Sequence, residues 1–303
     1  MVINVQSLND SPIVIELIST LARLLPRKLG HSLADTVAGW LAERKDSAMV
    51  RAIRANQWVS RGENLDKQAL DRAVQETLRN SARSIFDLYH YNLDLRSADR
   101  LFVLDPASQQ LARRPDFQGR GLVVAGIHLG NPDLALQRLG SEGLRILVLT
   151  IPDPQGGRRT EYERRKKAGV NILPTSVGSL RQSLRYLQQG GVVLTGIDRP
   201  VPDPGSRPRF FGRPAVLPMH HIFLATKARV PVMLMASDLQ ADGKYHIATS
   251  DLIEMDPDPD RERGAIRNAE KVLTIAEGFI RRVPQQWLVS LPVWPETLDL
   301  TPE

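Results

Sequence analysis

The sequence predicts an α/β protein with a mainly parallel central sheet flanked by helices, preceded by an N-terminal helical region. From residue 121 onward, short apolar runs typical of buried strands alternate with longer amphipathic stretches. Between residues 11 and 92, apolar side chains instead recur three and four positions apart, and no alternating strand pattern occurs. We therefore expect one domain over residues 1–303, with 1–95 as its helical N-terminal part.

The predicted elements of the α/β part follow one another regularly. Strands are expected at 122–127, 144–149, 170–173, 192–197, 232–236 and 245–249. Helices are expected at 134–139, 160–168, 179–189, 219–228 and 263–282. Such alternation is typical of a parallel sheet covered on both faces. Because ligands bind these sheets at the carboxyl ends of the strands, the residues just after each strand are the candidate functional ones.

The amino-acid composition excludes some kinds of catalytic site and indicates the charge of the binding partners. The 303 residues include no cysteine, which excludes a disulfide framework, a thiolate nucleophile and a cysteine-containing zinc site. The net charge is +6, and most of the basic side chains are arginines, which bind phosphate and carboxylate well. Anionic partners are therefore expected: phospholipid head groups, an acidic carrier protein, coenzyme A or nucleic acid. Nucleic acid is the least favoured, because no basic patch is interleaved with aromatic residues.

No stretch of the sequence predicts a membrane-spanning helix or a signal peptide, so we expect a chain that faces the cytosol. The most apolar segment, 12–25, has the sequence PIVIELISTLARLL and is followed by Arg27 and Lys28. It has the character of an interfacial helix with a basic edge, which would lay residues 1–95 against a membrane. An amphipathic helix packed on its own domain fits the same pattern equally well.

The segment 121–133, GLVVAGIHLGNPD, combines a strand end with a helix start. The strand is expected to end at His128, Gly130 permits a tight turn, and Asn131 is an N-cap followed by proline. Asp133 falls in the first helical turn, where its carboxylate can reach the imidazole. A carboxylate on one ring nitrogen leaves the other free to accept a proton. A loop histidine held by a local capping carboxylate would show the same spacing.

The rest of the chain limits what such a pair can do. The GxSxG nucleophile motif is absent, so direct attack by an activated hydroxyl on a thioester is favoured over a covalent acyl-enzyme. Backbone N–H groups near Gly130, or an arginine, would stabilise the oxyanion. Adjacent His220 and His221 point apart on a helix and lack a third ligand at suitable spacing, so no metal is expected.

Four blocks of the sequence stand out: His128-Leu-Gly-Asn-Pro-Asp133, Gly190-Gly191 with Asp198-Arg199, Phe210-Phe-Gly-Arg-Pro-Ala215, and Pro284-Gln-Gln-Trp287. Together they resemble the late acyltransferases of lipid A biosynthesis, in the family's order, and they are also similar to the phosphatidylinositol mannoside acyltransferases. The resemblance implies a glycerolipid acyltransferase fold and transfer of a fatty acyl group to a hydroxyl of a lipid or glycolipid. The donor would be an acyl carrier protein or coenzyme A thioester, a co-substrate, with no other cofactor. The place implied is the cytoplasmic face of the inner membrane, with peripheral attachment to an anionic surface.

Carried onto this chain, the resemblance makes His128 the base and Asp133 its acid. Arg165 resembles the family's phosphate-binding arginine, with Arg164 as the neighbouring alternative; a solvated helix face would show the same run of charges. Further candidate substrate-binding residues, each of which has a capping or core-packing alternative, are Asn131, Asp198, Arg199, Phe211 and Arg213.

The sequence also departs from the family pattern. Pro132 replaces an aromatic residue, Arg199 a glutamine and His220 a glycine, which leaves the acceptor and the acyl-chain length open. We hypothesise that Met219 or His220 limits chain length; both would otherwise only pack the start of a helix. Two other functions fit the same residues: a thioesterase, in which the pair activates water, and a non-catalytic lipid-binding homologue.

Overall fold

The N-terminal region is helical, as the sequence predicts. The computed structural model describes residues 19–91, 98–106, 120–141, 146–152, 156–167, 169–202 and 205–302. After a helical segment at 19–24 come α1 (Arg27–Ala42), α2 (Ala48–Ser60) and α3 (Lys67–Tyr91). Ser47 caps α2 by accepting a hydrogen bond from the Val50 N–H, as N-cap serines do. The three helices share a small apolar core, which consists of Ala38, Val50, Ile53, Val74 and Leu78.

A seven-stranded sheet forms the centre of the described part of the chain. Its strands are β1 (Phe102–Leu104), β2 (Leu122–Gly126), β3 (Ile146–Thr150), β4 (Asn171–Pro174), β5 (Val192–Gly196), β8 (Val232–Leu239) and β9 (Tyr245–Thr249). The spatial order is β1-β9-β8-β2-β5-β3-β4. All neighbouring strands are parallel except β8 and β9. A separate two-stranded ribbon consists of β6 (Arg209–Phe210) and β7 (Arg213–Pro214).

Helices cover both faces of this sheet. They are α4 (Pro132–Ser141), α5 (Gly156–Lys167), α6 (Val177–Gln188), α7 (His220–Ala228) and α8 (Arg261–Arg282). Side chains of α6, α7 and α8 pack with Val123 and Ala125 on one face, whereas α4 and α5 contribute to a smaller cluster with Leu122 and Val124 on the other. Successive β2 side chains therefore point to opposite faces, and both faces are buried, which explains the uninterrupted apolar run.

The fold class is confirmed, and the differences from the sequence prediction are local. Helix α5 begins at Gly156, inside a segment expected to be a loop, and β1 was not predicted because three residues carry too little pattern. The antiparallel β8–β9 pair also departs from a purely parallel sheet. Residues 144 and 145 of the predicted second strand, and 12–18 of the predicted interfacial helix, lie outside the described residues. Among the described helices, none is both long and apolar enough to cross a membrane.

Candidate active site

Two neighbouring strands end in step and bring His128 together with Asp198. Gly126 of β2 pairs with Gly196 of β5, and each chain continues two more residues to His128 and Asp198. Equal offsets from a paired position place the two side chains side by side. A Cβ on Gly196 would lie 3.2 Å from Cε1 of His128, so the glycine leaves the space that the imidazole occupies.

The Asp198 carboxylate is fully buried, and both of its oxygens accept hydrogen bonds. It accepts hydrogen bonds from His128 Nδ1 at 2.6 Å, from the His128 backbone N–H at 2.7 Å, and from the Trp287 indole at 2.8 Å. Burial by itself raises the pKa of Asp198, but the charge of His128 and these donors outweigh it and hold the pKa below its usual value. Asp198 is therefore ionised at neutral pH, and Nε2 is left as the imidazole nitrogen that can accept a proton.

Asp133 does not make the contact that the sequence suggested. No hydrogen bond joins Asp133 to His128 in the described structure; its carboxylate instead forms an ion pair with Arg165. Burial by itself raises the pKa of Asp133. The positive charges of Arg165, His128 and Arg199 outweigh this effect and hold the pKa below its usual value. The physical reason is competition: the imidazole already has a buried carboxylate on Nδ1, and a guanidinium offers Asp133 a charged donor. The catalytic role of Asp133 stays a prediction.

Asn131 holds the turn and does not face a substrate. It is 1% exposed, its side-chain oxygen accepts from the Leu134 N–H at 3.2 Å, and its amide donates to the Ser84 carbonyl at 2.9 Å. The first bond is the predicted N-cap of α4, and the second ties this turn to α3. Both polar groups of the Asn131 side chain are thus bonded inside the protein, and the expectation that Asn131 binds substrate stays a prediction.

Gly130 shapes the same turn. Its φ is +65°, and a Cβ there would lie 2.2 Å from the Ser237 carbonyl oxygen, so neither the backbone conformation nor the space suits a side chain. Its N–H donates to the Gln286 carbonyl at 3.0 Å. The Gly130 N–H is therefore occupied within the protein, and the expected oxyanion contact by a backbone N–H near Gly130, or by an arginine, stays a prediction.

A cavity of about 300 Å³ opens beside His128. Its polar wall includes His128, Asp133, Arg165 and Arg199, all of which were predicted from the sequence. The remaining wall is mostly apolar and draws on five strands and α4; among its residues are Leu136, Val148, Leu149, Leu194 and Met235. An apolar cavity with a few convergent polar groups at one position is what a site for a long aliphatic group with one reactive end requires.

Phe211 and Arg213 lie elsewhere. Phe211 packs against Trp287 and under the Arg281 guanidinium, and Arg213 forms a two-bonded ion pair with Glu63. Neither lines this cavity, and the expected acyl groove at Phe211 and phosphate contact at Arg213 stay predictions. Their ribbon is anchored to the N-terminal helical region and to α8, which the sequence could not show. The side chain of Arg164 lies outside the described part of the chain.

Helix α7 contributes one histidine to the cavity. His220 lines the wall, and its Nε2 is 2.6 Å from the Thr195 hydroxyl of β5. Met219 instead packs against the large core. Burial lowers the pKa of His220 to about 4, so its ring is neutral at physiological pH. Of the two residues proposed to limit chain length, only His220 is placed to do so.

Sequence reasoning missed how Asp198 and Trp287 support the histidine. Asp198 was expected to contact a ligand, and Trp287 was named only as the last residue of a block that resembles the acyltransferase family. The available signal was the equal spacing of Gly126 to His128 and of Gly196 to Asp198, which is informative only once β2 and β5 are known to be neighbours.

The comparisons agree with this architecture. A family model described as bacterial lipid A biosynthesis acyltransferase matches residues 13–295, nearly the whole chain. No curated protein matches the chain in a sequence comparison.

Proposed function

The chain belongs to the bacterial lipid A biosynthesis acyltransferase family, and from this premise we propose that His128 activates a lipid hydroxyl to attack an acyl thioester. The observation that supports this proposal best is that His128, hydrogen-bonded to Asp198, lines a mostly apolar cavity. Asp198 fixes the tautomer and stabilises the imidazolium that forms, while Nε2 takes the proton. Family membership makes the protein a lipid acyltransferase; the proton path is the proposal.

The proposed reaction is a direct displacement. Nε2 of His128 removes the hydroxyl proton as the oxygen bonds to the thioester carbonyl carbon. The tetrahedral intermediate then collapses, the carbon–sulfur bond breaks, and the leaving thiolate takes the proton back from the imidazolium. No covalent acyl-enzyme is needed, since the acceptor itself is the nucleophile. The aliphatic chain of the donor would lie along the apolar wall.

Arg165, Arg199 and Asp133 are charged residues of the cavity lining. Guanidinium groups bind phosphate well, which supports a phosphate of the donor or acceptor as their partner. We assign Asp133 the task of orienting Arg165 through their ion pair. The guanidinium groups are also positively charged hydrogen-bond donors, and such donors would stabilise the oxyanion that develops in the reaction.

The donor is proposed to be an acyl carrier protein or coenzyme A thioester, with no further cofactor, and the acceptor a lipid or glycolipid. Such an acceptor lies in a bilayer, so the protein is proposed to act peripherally at the cytoplasmic face of the inner membrane. The net charge of +6 supports binding to an anionic surface. The same charge suits the acidic or phosphorylated carriers of acyl groups.

The deciding experiment combines purified protein, a radiolabelled long-chain acyl thioester and a bacterial lipid extract. We expect an acylated lipid to form, and both His128→Ala and Asp198→Asn to lose it while remaining folded. Release of free fatty acid at the same rate with and without acceptor would replace acyl transfer by thioester hydrolysis. Undiminished transfer by folded His128→Ala would overturn the assignment of the base.

A further inference from the structure

Helix α1 is amphipathic in the opposite sense to an ordinary surface helix. Its buried positions are small: Gly30, Ala34 and Ala38, four residues apart, face the rest of the protein. A Cβ on Gly30 would lie 1.9 Å from the Phe86 ring of α3, so even alanine does not fit there. Close packing of α1 on α3 therefore depends on small residues; of the large apolar side chains of α1, Leu41 packs against the shared core, whereas Leu29, Leu33, Val37 and Trp40 are exposed.

Those large side chains point outward. Leu29, Leu33, Val37 and Trp40 recur at spacings of four, four and three along α1, which places them on one face, here named the α1 stripe. Leu29 is 60% exposed, Leu33 55% and Trp40 49%. At 1.5 Å per residue the stripe is about 17 Å long. Six of the twelve exposed large apolar side chains of the described residues fall between 21 and 40, so this surface is concentrated and not scattered.

Charges flank the stripe. Lys28 is exposed at one end, and at the other the exposed Arg44 lies over the Trp40 ring, with Cζ 3.6 Å from the ring centroid. Tryptophan beside a cation suits the boundary of a bilayer, where the ring enters the apolar region and the charge meets lipid phosphate. Exposed Glu43 and Asp46 lie beside Arg44, so charge at this end alone does not favour a lipid over a second copy. A bilayer is favoured because the net charge of the chain is +6 and the proposed acceptor is a lipid.

We propose that the α1 stripe is the surface on which the protein docks to an anionic phospholipid bilayer. The helix would lie in the membrane plane, with Leu29, Leu33 and Trp40 inserted below the head groups and Lys28 and Arg44 at the phosphates. This inference rests on the proposed function, because it is the lipid acceptor that brings the protein to a bilayer. It differs from the interfacial segment expected from the sequence, which ends before α1 begins.

The same helix is tied to the active site by a buried carboxylate. Arg27 donates two hydrogen bonds to Asp87 of α3, at 2.9 and 2.7 Å, and His31 lies 2.8 Å from it. The Tyr245 hydroxyl donates to the same carboxylate at 2.8 Å. The Ser84 carbonyl of α3 also accepts a hydrogen bond from the Asn131 amide, so hydrogen bonds connect α1 through α3 to the turn that follows His128.

Tryptophan fluorescence gives a direct test. Trp287 and Trp294 are buried in the core, Trp58 is partly buried against it, and Trp40 is half exposed on the stripe. Quenching by lipids brominated along their chains is therefore assigned to Trp40 by the part of it that Trp40→Phe removes. Vesicles of phosphatidylglycerol and phosphatidylethanolamine are titrated into the full chain. We expect strong quenching, loss of most of it in Trp40→Phe, and about tenfold or more weaker vesicle binding in Leu29→Ser/Leu33→Ser. Val177→Ser, which changes an equally exposed apolar residue on α6, is the matched control and should bind as the parent does.

If something other than a bilayer covers the α1 stripe, these measurements give different results. Unchanged vesicle binding by the double variant would overturn the proposal. So would a parent dimer that the double variant converts to a monomer without any change in vesicle binding, because a second copy would then cover the stripe. A Trp40 shielded from a water-soluble quencher without lipid, and exposed on deletion of residues 1–18, would assign the surface to that segment.

A parallel assay separates this inference from the proposed function. With acceptor dispersed in detergent, the double variant should turn over as fast as the parent, and only vesicle-embedded acceptor should reveal its defect. Equal loss in both formats would mean that the stripe acts on the fold or on chemistry and not on docking. If the parent transfers no acyl group in either format, the proposed function fails, and the vesicle-binding result stands by itself.

Discussion

At the scale of single residues, His128 is held from three directions. Asp198 accepts from Nδ1 and from the backbone N–H, the Leu288 N–H donates to the His128 carbonyl at 2.8 Å, and Gly196 provides the surface under the ring. A histidine bonded in this way has one orientation and one free nitrogen. Such preorganisation is what a general base requires, because the ring need not be reoriented during the reaction.

Replacement of His128 by alanine should lower kcat about a thousandfold, which is within the usual range for loss of a general base. Folding and vesicle binding should be unchanged, since the ring is at the edge of the cavity and not in the core. Steady-state acyl transfer, with circular dichroism for folding, measures this. His246→Ala, at a surface histidine paired with Asp242, is the control and should retain parental turnover.

The two carboxylates near His128 should behave differently when changed to amides. Asp198→Asn removes the charge that stabilises the imidazolium, so kcat should fall about a hundredfold or more. Asp133→Asn releases Arg165, so the larger change should be in KM for the phosphate-bearing substrate. Separate kcat and KM values for both variants show which carboxylate assists the base and which one positions Arg165. A dominant loss of kcat in Asp133→Asn, with little effect in Asp198→Asn, would restore Asp133 as the partner of the base.

At the scale of elements, α7 illustrates how one helix start serves two purposes. Its first residue, His220, reaches the cavity and Thr195, while the second, His221, is buried with both ring nitrogens lacking a partner in the described structure. Burial lowers the pKa of His220 to about 4 and that of His221 to about 3, the latter also through the neighbouring histidine. Both rings are therefore neutral in the folded protein at pH 7.

The position of His220 predicts a change in acyl-chain preference. His220→Gly should enlarge the cavity and shift the profile toward longer chains, since each buried methylene contributes about 0.8 kcal/mol and two of them change preference by roughly tenfold. Met219→Ala is the control, because Met219 packs in the core and does not line the cavity. The measurement is competition between donors of graded length. Identical profiles for the parent and His220→Gly would end the hypothesis.

The buried histidines also predict how stability depends on pH. Both have a pKa of about 6.5 when unfolded and a lower one when folded, so the unfolded chain binds more protons at intermediate pH. Their contribution is complete above pH 6.5 and is lost as pH falls toward 4, by about 1.4 kcal/mol per pH unit for each histidine. Urea unfolding between pH 7 and 4.5 should show this slope, and His221→Leu should halve it. An equal slope in both proteins would show that His221 does not titrate on unfolding.

At the scale of the whole molecule, the N-terminal and C-terminal segments together form the back of the active site. Asn56 of α2 donates to the carbonyls of Val289 and Leu291 at 2.9 Å, and the adjoining Gln286 carbonyl accepts the Gly130 N–H. The helical region is therefore not a detachable appendage of the sheet. The helical region is connected through these contacts to the turn that follows His128, so changes on its outer surface can affect that turn.

The net charge of +6 predicts how membrane binding depends on salt. Attraction to anionic vesicles is screened within roughly 8 Å at physiological ionic strength, so binding should weaken steadily as salt is added and be weaker on zwitterionic vesicles. Vesicle sedimentation over a range of salt concentrations measures it, and the protein should stay folded without detergent. Release at high salt in the parent, combined with no salt dependence of folding, is the expected pattern. Binding that salt does not alter would contradict an electrostatic contribution.

The sequence by itself determined the order of elements, the fold class and the turn at His128. Buried strands, capped helices and the glycine turn each leave a local pattern, so the strand that precedes His128, the Asn131 cap and the helix containing Asp133 could all be predicted. Four of the predicted site residues, His128, Asp133, Arg165 and Arg199, also proved to line one cavity. Their shared feature is a place just after a strand or within a helix at the same sheet edge.

Only the tertiary structure decided which groups touch. Asp133 is five residues from His128 and Asp198 is seventy, yet the imidazole bonds to Asp198, because strand order places β5 beside β2. Strand order depends on how helices of particular size pack against the sheet, a sum over many weak contacts that no short segment encodes. The same holds for Arg213, which binds Glu63 of the helical region. It also holds for α1, where the small residues are buried and the large apolar ones exposed, because the sequence does not tell which side of a helix is covered by its neighbours.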